Sequence, residues 1–513
     1  GEPIRGQTVV EIRPNDHRTT YLLANRIHKP LPTVDLDDPD AVLRVRDYED
    51  GEDTVVPRSA WRFARENGGG VEASSEYAYM EGGFEPGKIY CLVYTTEGAP
   101  VAGAGLLAVR DVAGFLRRPS EMNPGPGEYD AVYAWGVSQT GRMLRHLLYL
   151  GLNVSEDGQM AYDGILPHVA GARRGAFNHR FAQPSDQSTP NWGHRFPFAD
   201  EPSADLLTGR RGGLLDRLRE RGAVPKVIYT NSSAEYWRGD GNLAHIDTGA
   251  TTDLPEAPES RSYHFSGTQH GAGYLGQSRT NANDGGRARY DLNVVDYSPL
   301  LRASLINMDR WVTGGVEPPP SRHPRLADGT AAERRDVLAV FEQIPGVEPP
   351  DVQRLFYLRT VDLGSGEADG VGRYPVVEGA TYPSLVSAVD GDGNERAGVR
   401  LPDVSVPVGT HAGWNPRAPE TGAPEQVVSM NGLTSFFPAT REQRAATGDP
   451  RPSLEERYGG RADYLARVRD ATEELVEQRY VLEEDADLVA GNAAARYDVA
   501  MAPAEAVAQP ASG

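Results

Sequence analysis

Tyr129-Asp130-Ala131-Val132-Tyr133-Ala134-Trp135, then Gly136-Val137-Ser138-Gln139-Thr140-Gly141, then Arg142-Met143-Leu144-Arg145-His146-Leu147-Leu148-Tyr149-Leu150 is the stretch that decides how this chain is read. The first run is β-prone and the last repeats its apolar residues at helical spacing, so the middle six form a strand-to-helix turn. Such a turn lifts the Ser138 hydroxyl off the end of a sheet, and the helix N-terminus presents N–H groups to a negative charge developing nearby. Ser138 is therefore a candidate nucleophile, with the Gln139 N–H as the first oxyanion donor. The alternative is a serine that only caps the helix. The glycine usual two residues after such a serine is replaced by Thr140, and glycine comes one position later at Gly141.

Strand, tight turn and helix are the context of a nucleophile elbow, and the order of the residues farther along the chain supports that reading. Lys226-Val227-Ile228-Tyr229-Thr230 is strand-like, and Glu235 stands just beyond it. Ser262-Tyr263-His264-Phe265-Ser266-Gly267 reads as another strand and runs into Thr268-Gln269-His270-Gly271. Nucleophile, acid and histidine, each at a strand end, keep the chain order of an α/β-hydrolase triad. In that arrangement His270 takes the proton of Ser138, and Glu235 fixes the imidazole tautomer and stabilises its cation. His264 competes with His270, but it lies inside the strand, whereas catalytic groups sit on loops held by a rigid scaffold. Asp240 and Asp247 compete with Glu235, which is closer to the preceding strand end.

These residues resemble the family of large bacterial proteins described as α/β-hydrolase domain-containing, with a Gly-x-Ser-Gln-[Ser/Thr]-Gly-Arg elbow. Gly136-Val137-Ser138-Gln139-Thr140-Gly141-Arg142 fits it, and the likeness continues through Asp163 to Gly175, Phe177 to Pro184, Glu235 to Asp240, Gly267 to Gly271 and Gly448 to Tyr458. The resemblance makes Thr140 a family feature. It implies an α/β-hydrolase fold, a mostly parallel central sheet flanked by helices, and ester hydrolysis, with the triad roles carried over to Ser138, Glu235 and His270.

A chain of 513 residues accommodates either one enlarged catalytic domain or two domains. A net charge of −21 argues against nucleic acid or an anionic membrane as partner, since either demands a basic face. The single Cys91 excludes an internal disulfide and lies in an apolar run, as a buried structural thiol would. No apolar run reaches the ~18 residues of a membrane span, so a soluble chain is expected, cytoplasmic or exported after removal of a signal peptide. No phosphate loop is present, and no cofactor is expected.

Residues 1–316 are expected to form the catalytic domain, with a proline-rich boundary at Glu317-Pro318-Pro319-Pro320 and a C-terminal extension over 321–513, strands first and helices after, packed on the catalytic domain. Residues 1 to about 88, with strand candidates at Thr8–Ile12 and Ala41–Val45, are expected to supply early strands of the central sheet, Ile89–Thr96 the next, and Gly105–Leu116 a helix on it. A second oxyanion donor is sought near Thr95–Gly98. Residues 172–224 are too long for a simple crossover and read as a lid. Phe177, His179, Phe181 and Trp192 there either line an acyl or alcohol pocket or pack the lid on the core. Arg173 and Arg174 invite a carboxylate-binding role, but long charged side chains more often lie solvated or serve structure. Trp414, beside His411 and Asn415, is in a loop that reaches toward the site or merely packs.

Farther on, Leu355–Val361 and Ser384–Val389 read as strands. Asp390-Gly391-Asp392-Gly393-Asn394 imitates the start of a calcium loop, but the position that should carry the closing glutamate is Leu401, so a turn is expected and no metal. The tail after Met501 is expected to fray. The sequence thus points to a metal-free serine hydrolase acting on a small-molecule ester. An acyltransferase or amidase with the same triad, and a non-catalytic scaffold that binds a partner, are the rival readings.

Overall fold

The computed structural model describes residues 3–24, 28–99, 103–125, 127–177, 179–183, 194–282, 284–367 and 371–502. The chain opens with seven strands: β1 (Arg5–Ile12), β2 (Arg18–Leu22), β3 (Val42–Arg46), β4 (Thr54–Val55), β5 (Trp61–Asn67), β6 (Gly70–Phe84) and β7 (Ile89–Glu97). They form two antiparallel sheets, ordered β1-β7-β3-β4 and β2-β6-β5. The two sheets share a core that includes Leu43, Trp61, Phe63, Phe84 and Leu92. This corrects the expectation that residues 1–88 and Ile89–Thr96 join the parallel sheet. A parallel neighbour needs a crossover of a dozen residues or more, usually helical, and the first α-helix, α1 (Ala104–Leu116), comes only after β7. Cys91 on β7 is a free thiol, half-buried rather than fully enclosed, and burial pushes its pKa up to about 12.

From α1 onward strands and helices alternate: β8 (Tyr133–Val137), α2 (Gln139–Tyr149), β9 (Gly164–His168), β10 (Ser203–Ala204), β11 (Arg211–Gly212), α3 (Asp216–Glu220), β12 (Lys226–Ser232), α4 (Ser233–Trp237), β13 (Ser260–Phe265) and α5 (Ser298–Gly314). Four of these strands make a parallel sheet in the order β13-β12-β9-β8. β9 is buried along its whole length, as a parallel strand covered on both faces must be. Alternation sorts the side chains to the two faces. Ile165, Val227 and Tyr229 pack with Leu144 and Leu147 of α2, whereas Leu166, Ile228 and Tyr263 pack with Met308 and Trp311 of α5. β8 is an edge strand among the described residues, so Ser138 stands at the end of that edge.

The remaining elements are β14 (Ala331–Glu333), α6 (Arg334–Phe341), β15 (Arg359–Asp362), β16 (Val377–Thr381), β17 (Leu385–Ser387), α7 (Pro402–Ser405), β18 (Gly409–Ala412), β19 (Leu433–Phe436), α8 (Arg441–Thr447), α9 (Leu454–Arg457), α10 (Arg461–Glu477) and α11 (Ala486–Ala500). The strands expected over Leu355–Val361 and Ser384–Val389 are thus displaced or shortened to β15 and β17. This half of the chain is laced into the first. Along the outer edge of β13 the His264 N–H donates to the Arg322 carbonyl at 2.8 Å, and the Val399 N–H donates to the His264 carbonyl at 2.7 Å. Leu475, Val481 and Val489 complete the core on the α5 face. Asp390–Asn394 forms the expected turn: Asp390 Oδ1 accepts the N–H groups of Asp392 and Asn394, and Val389 bridges Glu395 across it. Among the described residues no helix is long and apolar enough to cross a membrane. Residues 503–513 of the tail lie outside them.

Candidate active site

Ser138 joins β8 to α2 with φ 55° and ψ −111°. A non-glycine residue held there costs about 1–3 kcal/mol, strain that clusters at functional sites. Its side chain makes no capping hydrogen bond, so the hydroxyl does not serve the helix as the capping alternative requires. The Ser138 N–H donates to the His168 carbonyl on β9 at 2.9 Å, and its own carbonyl accepts from Arg142 at 2.8 Å. Thr140 closes the turn. Its Oγ1 accepts the Val137 N–H at 2.8 Å, and its hydroxyl donates to the Val137 carbonyl at 2.9 Å. The close backbone approach falls on other positions. A Cβ on Gly141 would stand 2.9 Å from the His168 oxygen and 3.0 Å from that of Gly136, and one on Gly136 would stand 2.6 Å from the Thr140 oxygen. This is why a threonine is tolerated at 140 and glycine is needed at 141. Gln139 is the first residue of α2, so its N–H belongs to the helix terminus beside the serine.

β12 and β13 are adjacent, and the residues just past their ends meet. The Ser232 N–H and hydroxyl both donate to Glu235 Oε2, at 2.8 and 2.6 Å, which makes Ser232 to Glu235 a capping box at the start of α4. The other carboxylate oxygen, Oε1, accepts from His270 Nδ1 at 2.6 Å. Burial pulls the Glu235 carboxyl upward, but His270, Arg238 and Ser232 outweigh it and hold the carboxyl below its usual range. An imidazole that donates from Nδ1 carries its acceptor at Nε2, the tautomer a general base requires. The rival acids are engaged elsewhere. Asp240 holds Arg173 at 2.8 Å, Arg238 at 3.0 Å and the Ala172 N–H at 3.0 Å, and Asp247 accepts the N–H groups of Thr251 and Thr252. The rival His264 is fully buried in β13 with Nε2 2.7 Å from Glu395.

Sequence reasoning missed the supports of His270. The Tyr297 hydroxyl donates to the His270 carbonyl at 2.5 Å, so its oxygen is left to accept from His168 Nε2 at 3.2 Å. His168 Nδ1 then accepts from the Thr230 hydroxyl at 2.8 Å. Burial lowers the His168 pKa to about 4, so the ring is neutral at neutral pH. The His270 N–H donates to the Met430 carbonyl at 3.2 Å. His168 lies in the Asp163 to Gly175 stretch that carries the family resemblance, but nothing in the sequence marks it, Tyr297 or Met430 as a support of His270.

Of the residues expected to line a pocket, the described ones lie in different parts of the fold. Phe177 packs near His146 of α2, ring centroids 6.2 Å apart, on the α2-side core. His179 is buried with Nε2 3.2 Å from an Arg195 nitrogen, and burial, then Arg195 and Arg174, lower its pKa to about 4. The Phe181 carbonyl accepts from the Thr8 hydroxyl of β1 at 2.9 Å. Trp414 is a core residue between Trp237 and Phe341, with ring centroids at 5.9 and 4.9 Å. Trp192 lies outside the described residues, as do 178 and 184–193 of the expected lid. Arg173 and Arg174 are buried, not solvated. Arg174 lies 3.6 Å over the Tyr149 ring and donates to the carbonyls of Arg195 and Phe196. Within Thr95–Gly98, where a second oxyanion donor was sought, the Thr95 N–H goes to Asp38 at 3.1 Å and that of Gly98 to the Ile4 carbonyl at 3.2 Å.

A family model described as an alpha/beta hydrolase domain matches residues 71–490. The chain belongs to this family. No curated protein and no solved structure matches it. The alpha/beta hydrolase match begins inside β6 and ends inside α11, so it takes in the parallel sheet and most of the C-terminal half. Membership makes the protein a hydrolase in general terms.

Proposed function

We propose that this alpha/beta hydrolase is a serine hydrolase that cleaves a carboxylic ester through an acyl-enzyme. The observation that carries the reading is the 2.6 Å His270 Nδ1 to Glu235 Oε1 hydrogen bond, formed beyond adjacent strands of the sheet whose edge strand ends in the strained Ser138 turn. His270 Nε2 removes the Ser138 proton as Oγ attacks the ester carbonyl, and Glu235 stabilises the imidazolium. The tetrahedral oxyanion forms beside the N-terminus of α2, where the Gln139 N–H receives it. Collapse expels the alcohol, protonated by His270, and a water activated by the same base releases the acid. Ser138 Oγ has no hydrogen-bond partner among the described residues; catalytic hydrogen bonds of resting enzymes often tighten only with substrate.

Stopped-flow hydrolysis of p-nitrophenyl acetate tests this reading. One equivalent of p-nitrophenol should appear in a burst ahead of the steady state and vanish in Ser138→Ala. Retention of the turnover by Ser138→Ala would overturn the assignment. Added methanol or hydroxylamine then separates hydrolysis from acyl transfer by the products formed, and p-nitroanilides test amide cleavage.

A further inference from the structure

Behind the His270–Glu235 pair lies a second histidine–glutamate pair, and its glutamate comes from the far half of the chain. Glu395 comes directly after the Asp390–Asn394 turn and is buried, as are its three partners. Its Oε2 accepts from His264 Nε2, from the Ser233 hydroxyl and from the Gly267 N–H, each at 2.7 Å. The Ser233 oxygen in turn accepts the Thr268 N–H at 3.1 Å. Ser233 opens α4, the helix that carries Glu235, and Gly267 and Thr268 open the turn that carries His270. One carboxylate oxygen therefore ties together the two segments whose side chains must meet.

Neighbouring groups reinforce the same turn, one from the segment before α5 and one from the C-terminal half. Asn293 Nδ2 donates to the carbonyls of Gly267 and Ala412, at 2.8 and 3.0 Å. The Gly432 N–H donates to Gln269 Oε1 at 3.1 Å. A Cβ on Gly413 would stand 2.5 Å from that of Ser233, so the segment after β18 presses directly on the start of α4. The Glu395 oxygen is distinguished from these by linking both segments at once, with charge-assisted hydrogen bonds of the stronger kind.

We propose that Glu395 is a positioning residue that sets the alignment of His270 with Glu235 by clamping the start of α4 to the turn after β13. The proposal rests on the reading of His270 as the general base. Glu395 does not touch substrate; it acts by holding the turn, and a misplacement of about 1 Å in catalytic geometry can cost on the order of 100-fold in rate.

The test uses the full chain, p-nitrophenyl acetate turnover and the rate of Ser138 labelling by a fluorophosphonate, with thermal unfolding as a check on folding. Glu395→Gln keeps the volume and one accepting oxygen but removes the charge that strengthens the three hydrogen bonds, and it should lower kcat and the labelling rate by about 10- to 100-fold with KM within about twofold. Ser233→Ala leaves the carboxylate and removes one of its three donors, and should lower both rates by about 3- to 10-fold. If Glu395→Gln does not fold, Ser233→Ala decides, and parent-like rates in a folded Ser233→Ala would overturn the proposal. So would a folded Glu395→Gln with parent-like rates, or one whose loss lies in KM. His270→Ala is run alongside. Labelling by His270→Ala at the parent rate would bring down the base assignment and this proposal with it, whereas slow labelling there beside parent-like Glu395→Gln would remove the clamp alone.

Discussion

Among the described residues two histidine–glutamate pairs stand six residues apart on one strand-and-turn segment, and they differ in the ring nitrogen they use. His270 gives Nδ1 to Glu235, and its side chain remains 14% exposed. His264 gives Nε2 to Glu395 and is fully enclosed, with Nδ1 buried and without a hydrogen-bond partner among the described residues. The first imidazole keeps an acceptor nitrogen available for a proton from outside the pair. The second has its one strong hydrogen bond turned inward. Chemically similar pairs thus separate into one suited to proton transfer and one suited to holding backbone, and the pattern of burial distinguishes them where residue type does not.

The largest expected effect separates the pairs by what each histidine sustains. His270→Ala should lower kcat for p-nitrophenyl acetate by about 10³-fold or more, and because Glu235 keeps both donors of Ser232 and the nearby Arg238 charge, it should lower the unfolding temperature less than His264→Ala does. His264→Ala should act mainly on stability, because it leaves a buried carboxylate without its cationic or donor partner, a loss of roughly 3–5 kcal/mol. Equal activity losses from the two, each tracking unfolding, would erase the distinction.

Glu235→Gln comes next. A glutamine still caps α4, but its amide cannot hold the Nδ1–H tautomer, so kcat should fall by about 10²- to 10⁴-fold with little change in the denaturant midpoint.

The pH dependence of stability sharpens the contrast between the exposed and enclosed rings. Burial lowers His168, His179 and His411 from 6.5 to about 4. Between those values the unfolded chain binds protons that the folded chain refuses, so stability falls as pH drops from about 6.5 toward 4. Each histidine is worth up to roughly 3 kcal/mol at the acid end. Glu235, held below its unfolded value, adds a loss of the same sign at lower pH. Unfolding temperatures should therefore decline steadily across this window; a flat profile would mean that these rings are not enclosed in neutral form.

The smallest effects concern the serine turn. Gly141→Ala places a Cβ against two carbonyl oxygens and should cost about 1–3 kcal/mol by urea unfolding. Thr140→Val removes the hydroxyl that closes the turn and should cost about 1 kcal/mol.

How legible each feature was in the sequence depends on its range along the chain. The Ser138 turn is local: its strand, glycines and helix lie within some twenty residues, so pattern alone places it. Glu235 and His270 were singled out as candidates because each stands just past a recognisable strand. The role of Thr140 was hidden, because only the packing of α2 on β9 reveals that the close approach has moved to Gly141. Three of the seven N-terminal strands, at Thr8–Ile12, Ala41–Val45 and Ile89–Thr96, were identifiable as strands, but propensity does not name a pairing partner, and the absence of crossover helices is what sends them into antiparallel sheets. Trp414 looked like a loop aromatic until Trp237 and Phe341 enclosed it. Glu395 meets Gly267 across 128 residues of chain, a contact that no local pattern encodes.

The most direct test of Ser138 as an activated nucleophile is intact mass after treatment with a fluorophosphonate, with peptide mapping of the product. The parent should gain a single adduct at Ser138, Ser138→Ala should gain none, and His270→Ala should gain it far more slowly. An unmodified parent that also leaves short p-nitrophenyl esters intact, or an adduct that persists in Ser138→Ala, would contradict it.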